Sequence, residues 1–206
     1  MENNEKLNKR EKFELVVESG LQLIPMVGGA LSSAYFGYKN EKRFKRLESF
    51  YSEFSNLTEL NPVGIDKHDQ DVLVALIDQL NDKVEKEVLE EKRLFFRNFL
   101  RSSLENPTSK QNFDERRFFL ETLADMTLLE IEILTFIFNS KQPVIVGTLK
   151  KPGVEQFAIV GSIARIKNYG FLTTIQNSFS VGAGHNELEQ AVELNEFGRR
   201  FVNFSI

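Results

Sequence analysis

The stretch GSIARIKNYGFLTTI, residues 161–175, changes its hydrophobic period midway. Together with Phe157 and Val160 just upstream, Ile163, Ala164 and Ile166 recur at helical spacing, which predicts a helix over 154–168. Gly170 sits where a helix ends in a left-handed residue. Phe171 to Ile175 is aromatic and β-branched and reads as a strand. A Gly/Ser-rich loop, Asn177 to Asn186, follows it, and Ala191 to Leu194 reads as the returning partner strand. Leu194 to Phe204 closes the chain as a short helix with Phe197, Phe201, Val202 and Phe204 apolar. Upstream, Thr127-Leu128-Leu129-Glu130 is a capping box that opens an apolar helix, Leu128 to Phe138. That helix is too short to span a bilayer, so it is expected in a core. A loop with Gly147, Pro152 and Gly153 joins it to the helix at 154.

This order of helix, loop, helix, strand, long loop, strand and helix over 127–206 resembles a winged-helix domain, with the loop 177–190 as the wing. The resemblance implies either a DNA-binding module or a structural, protein-contacting one, and charge bears on the choice. Residues 127–206 hold seven basic and seven acidic side chains. Lys141, Lys150, Lys151, Arg165 and Lys167 gather on and before the helix 154–168, whereas Glu187, Glu189, Glu193 and Glu196 make the wing and last strand acidic, balanced only by Arg199 and Arg200. In a DNA reader, Lys150, Lys151, Arg165 and Lys167 would hold phosphates, and Gln156, Ser162, Arg165 and Asn168 would read bases. The neutral balance favours a protein-interaction role and leaves DNA binding as the runner-up.

The N-terminal part is read as a helical region, 1–126, with a Gly-rich apolar segment at 19–38. Ser19 to Tyr38 carries no charge and is followed at once by Lys39, Lys42, Arg43, Lys45 and Arg46. Gly29, Ser33 and Gly37 fall at i, i+4 and i+8, a small-residue face that favours close helix packing in a bilayer or in a core. Lys42, Arg43, Lys45 and Arg46 would meet anionic lipid or nucleic acid. A buried helix and a membrane-associated one both remain open, because the run is marginal in length and polarity. Acidic and basic residues alternate over the first 18 positions, so no secretory signal is expected.

Phe44, Leu47, Phe50, Tyr51, Phe54 and Leu57 predict a helix over 41–58. A second helical period runs from about 67 to 91 and on towards 104 with a bend near Glu90, with Asp66 as its expected cap. Asp114 is the expected cap of a helix through Leu123. The Phe-rich stripe, drawn from 19 Phe in all, also suits burial against a second copy.

The 206 residues hold 26 basic and 30 acidic side chains, no Cys and two His. Without Cys there is no disulfide, thiol nucleophile or thiolate metal site. No phosphate-binding, dinucleotide, nucleophile-elbow or zinc-protease motif is present, so a non-enzymatic protein without cofactor, metal or small-molecule substrate is expected. Asp66, His68, Asp69 and Asp71 are the one ligand-like cluster, and at a helix start such carboxylates ordinarily complement the dipole.

Across most of the chain, the apolar "LIPMVGG" at 23–29 running into "KRFKRLESFYSEF", then "ADMTLLEIEIL", "IARIKNYGFL" and "LNEFGRRFV", resembles bacterial proteins of the abortive-infection alpha type, carried on prophages and mobile elements. The resemblance implies a cytoplasmic phage-defence protein, peripheral on the inner membrane face if the basic cluster meets lipid, and it brings no catalytic residues. A protein partner or a second copy is its expected contact, with DNA and an anionic membrane surface as alternatives.

Overall fold

A computed structural model describes residues 34–56, 61–175 and 187–206. The chain is mostly helical, with a small three-stranded antiparallel sheet near the C-terminus. It divides into two compact units, Met1–Glu121 and Thr122–Ile206. The expected segment at 4–18, Gly29, Ser33 and most of the 177–190 loop lie outside the described residues, and Gly37 is described only as helical backbone.

The first unit is built from α1 (Ala34–Ser55), a 3-10 turn (Ile65–Lys67), α2 (Gln70–Lys86), α3 (Glu90–Glu105) and α4 (Lys110–Asp125), whose last residues pass into the second unit. The apolar stripes legible in the sequence form its core. Leu47, Phe50, Tyr51 and Phe54 of α1 are buried, as are Leu73, Leu76, Ile77, Leu80 and Val84 of α2. Phe96, Phe99, Leu100 and Leu104 supply the α3 face. Phe50 stands edge-on to Tyr51, centroids 5.2 Å apart. The Tyr51 hydroxyl reaches the core but donates to Asn81 Oδ1 at 2.7 Å, which satisfies it there. Burial pushes its pKa up, so it stays a donor.

Four boundaries differ from the sequence reading. The helix α1 begins at Ala34 rather than at 41, so Gly37 and Lys42, Arg43, Lys45 and Arg46 share one helix. The cap of α2 is Asp69, whose carboxylate accepts from the Val72 N–H at 3.4 Å, because Asp66 is taken into the 3-10 turn. The bend expected near Glu90 is a full break, Glu87-Val88-Leu89, between two helices. No Gly or Pro marks the break. Arg93 makes it tenable by donating to the Glu87 and Val88 carbonyls at 3.1 and 3.2 Å, groups a continuous helix would satisfy. Finally, α4 starts at Lys110 rather than at Asp114, with Asn112 Oδ1 accepting from the Ser109 N–H at 3.0 Å.

The second unit runs α5 (Leu128–Asn139), β1 (Val144–Ile145), a 3-10 turn (Val146–Thr148), α6 (Gln156–Asn168), β2 (Leu172–Ile175), a 3-10 turn (Glu187–Glu189), β3 (Ala191–Leu194) and α7 (Glu196–Ser205). The capping box of α5 is complete. Glu130 Oε2 accepts from the Thr127 N–H at 2.6 Å, and the Thr127 hydroxyl accepts from the Glu130 N–H at 3.3 Å. Gly170 takes φ +79°, ending α6 as its position suggested. The sheet order is β1-β3-β2, with Leu172 opposite Leu194 and Val144 opposite Val192. The strand β1 is only two residues long, too short to leave an alternation in the sequence. Ile131, Leu134 and Ile137 of α5, Ile159, Ile163 and Ile166 of α6, and Phe171, Val192 and Phe201 fill the core. Phe171 stacks on Phe201 with centroids 4.4 Å apart.

Gly161, in the middle of α6, is exposed, and a Cβ built on it meets nothing within 4 Å. Gly161→Ala is therefore expected to stabilise this unit by about 0.5–1 kcal/mol, the usual helix-interior difference, and to raise its thermal midpoint by a few degrees. An unchanged or lower midpoint by circular dichroism would contradict this.

Candidate functional site

The residues assigned to nucleic acid do not form a free basic surface. Lys150 donates from Nζ to Gln156 Oε1, and Gln156 in turn donates from Nε2 to the Val146 carbonyl at 3.3 Å. Lys151 pairs with Glu132. Lys167 donates to Gln190 Oε1 at 3.2 Å. Ser162 is buried and returns its hydroxyl to the Ala158 carbonyl at 2.9 Å, so it faces no base.

Arg165 is the centre of a small network. Its guanidinium lies 3.2 Å from Glu130 Oε1 and 3.8 Å from Asp125 Oδ2, and it donates to the Tyr169 hydroxyl at 2.8 Å. Glu130 is 1 % exposed, so Arg165 neutralises the one carboxylate that the capping box carries into the core. The hydrogen bond to Tyr169, then the charges of Glu130 and Asp125, raise the Arg165 pKa further. The outward face of α6 carries Phe157, Ala158, Gly161 and Ala164, which have no side-chain donors or acceptors for base edges, and of the expected base readers Arg165 and Asn168 are exposed, at its C-terminal end.

The basic cluster of α1 is also engaged. Arg46 donates to the Glu85 carbonyl at 2.7 Å in the last turn of α2, and Arg43 lies 3.6 Å from the Glu85 carboxylate. Cations at a helix C-terminus complement its dipole. Lys45 pairs with Glu41 at 2.7 Å along the helix, and Lys42 is exposed. Among the described residues no helix is long and apolar enough to cross a membrane, and no group of three or more His, Cys, Asp or Glu could hold a metal ion. In the ligand-like cluster, Asp69 caps α2 while His68 is buried with Nδ1 accepting from the Thr108 N–H at 3.0 Å.

What the second unit does present is a groove of about 940 Å³ between α5, β1 and the start of α6. Leu129, Ile133 and Phe136 form one wall, at i, i+4 and i+7 of α5. Val144 and Ile145 of β1, with Leu149 and Ile159, complete the apolar floor. Lys141, Lys150 and Lys151 stand round it against a single carboxylate, Glu132. Phe136 is 55 % exposed and Ile145 44 %, far more than a closed core allows. The turn 146–148 is held in place by a close approach. A Cβ on Gly147 would lie 2.8 Å from the Leu188 carbonyl oxygen.

The groove was not anticipated, although its signal lay in α5. A helix apolar on nearly every side, here LLEIEILTFIF over 128–138, needs a partner on more than one face. The core accounts for Ile131, Leu134 and Ile137, and leaves Leu129 and Phe136 to something else. No family model matches the chain, and no curated protein or solved structure matches it.

Proposed function

We propose that this chain is a non-enzymatic phage-defence protein that works by protein contact, its C-terminal unit being a winged-helix-like docking module. The order of elements supports that type. A helix, a short strand, a turn, a second helix and a two-stranded hairpin make a sheet ordered β1-β3-β2, with a closing helix capped by Asn195. The observation that carries the choice of protein over DNA is the pairing of Lys151 with Glu132 and of Arg165 with Glu130 and Asp125, beside an open apolar groove. Phosphates would have to compete with Glu132 for Lys151, and with Glu130 and Asp125 for Arg165. The defence role rests on the resemblance to abortive-infection alpha-type proteins.

Two measurements test the proposal. Titration of the full chain into labelled duplex DNA from 50 to 200 mM salt is expected to give no better than micromolar binding. Submicromolar affinity that falls by roughly a thousandfold over that range, the mark of six or more phosphate contacts, would instead favour a DNA-binding regulator. Expression in a phage-sensitive bacterium is expected to lower plating efficiency, and the Phe136→Glu variant to restore it. Equal plating with and without the chain over a broad phage panel would remove the defence role.

A further inference from the structure

We infer that the groove between α5 and β1 receives an acidic protein segment whose large apolar side chains are flanked by carboxylates. The inference rests on the protein-contact reading and names the chemistry of the partner. The apolar wall of Leu129, Ile133 and Phe136 with Ile145 opposite offers pockets for two or three large side chains. Amphipathic segments bind in this way, with apolar anchors below and charge at the rim.

The rim determines which segment fits. Lys141 is exposed, and Lys150 donates to the neutral side-chain carbonyl of Gln156 rather than to a carboxylate. Lys151 is offset by Glu132, so the groove is positive on balance. Carboxylates on the incoming segment would meet Lys141 and Lys150, whereas basic segments would be repelled. The same charge argues against a second copy. A two-fold dimer sets a patch against itself, which here would bring one lysine rim onto another.

The test uses the full chain, immobilised and challenged with a displayed library of random 16-residue peptides. The expected result is recovery of peptides richer in Asp and Glu than in Lys and Arg, each with at least two of Leu, Ile, Phe or Met. A synthetic peptide of the recovered sequence should bind at least tenfold more weakly to the Lys141→Glu/Lys150→Glu variant. Exchanging the peptide's acidic residues for Lys should restore binding to that variant. Ile145→Glu, at an exposed position, gives a second loss of binding if the double variant melts below the parent. Recovery of neutral or basic peptides, no recovery above bare support, or affinity indifferent to both variants would each overturn the inference. A concentration-dependent dimer abolished by Phe136→Glu, without peptide recovery, would assign the groove to a second copy while the protein-contact reading stands. Salt-steep DNA binding without peptide recovery would remove both.

Discussion

Replacing Gly198 by alanine is expected to lower the melting temperature of the C-terminal unit by about 10 °C or more, from a cost of about 2–3 kcal/mol. The sign is opposite to the ordinary one. In a helix, Gly→Ala usually gains up to about 1 kcal/mol. At Gly198, in the first turn of α7, an added Cβ would sit 2.4 Å from the Phe171 carbonyl oxygen and 2.6 Å from Leu194 Cδ2. The leucine tip can swing away, but the carbonyl cannot. It accepts the Asn195 N–H at 3.1 Å, and it lies one residue before Leu172, which pairs with Leu194 in the sheet. Relief by moving α7 outward would pull Phe201 from its stack on Phe171 and strain the bond from the Gly198 N–H to the Asn195 cap, 2.9 Å. Gly161→Ala is the control, since the same change there meets empty space. Thermal melts of the two variants should move in opposite directions. A Gly198→Ala midpoint at or above that of the parent would show that the approach of α7 to β2 is looser than the structure has it.

The contrast between these two glycines shows what the sequence can and cannot tell. Both stand in apolar helical patterns, and only the fold says which one touches backbone. Features fixed by neighbours in the chain were legible: the Thr127–Glu130 capping box, the left-handed Gly170, the strands at Leu172–Ile175 and Ala191–Leu194, and the buried stripes of α1 and α2. Features set by distant contacts were not. The full break at Glu87–Leu89, where the sequence suggested only a bend near Glu90, depends on a guanidinium from the next helix. The two residues of β1 are extended because Val192 and Ala191 lie beside them. The candidate site was least legible for the same reason. Counting lysines and arginines located the charges, but their partners Glu132, Glu130 and Gln190 lie 19 to 35 positions away in the chain or on another element. A cation already paired is a poor ligand for phosphate, and pairing is a property of the fold.

A second large effect is expected in the N-terminal unit, where Arg116→Met should cost about 2 kcal/mol at neutral pH and should also flatten the response of stability to acid. Arg116 is 6 % exposed, and its guanidinium ties the α3–α4 turn together. It donates to the Thr108 hydroxyl and to the carbonyls of Pro107 and Asn106, at 2.9 and 3.3 Å for the last two. Burial lowers its pKa to about 10, so it remains charged at neutrality. Methionine keeps much of the apolar stem but removes all three bonds. The exposed Pro107 carbonyl still accepts from Asn112 Nδ2 at 2.9 Å, so the main loss is the donor to the buried Thr108 hydroxyl, a buried acceptor that costs about 1–3 kcal/mol when unmet. Removing a desolvated cation offsets part of that loss. The same turn holds His68, whose Nδ1 must be unprotonated to accept the Thr108 N–H. Burial first, and the Arg116 charge second, lower the His68 pKa below 6.5, against the opposing pull of the Leu104 carbonyl and Asp66. The unfolded chain thus binds a proton near pH 6.5 that the folded chain refuses. The contribution is complete above about pH 6.5 and is lost as pH falls from there through the folded value. Without Arg116 the folded value moves back up and that window narrows. Urea unfolding at pH 7.5 and 5.5 reads both effects, and surface carboxylates common to the two proteins cancel in the difference. Arg116→Met should begin less stable and lose less between the two pH values. Equal losses would separate His68 from Arg116, and a variant as stable as the parent at pH 7.5 would mean that water serves those acceptors as well as the arginine does.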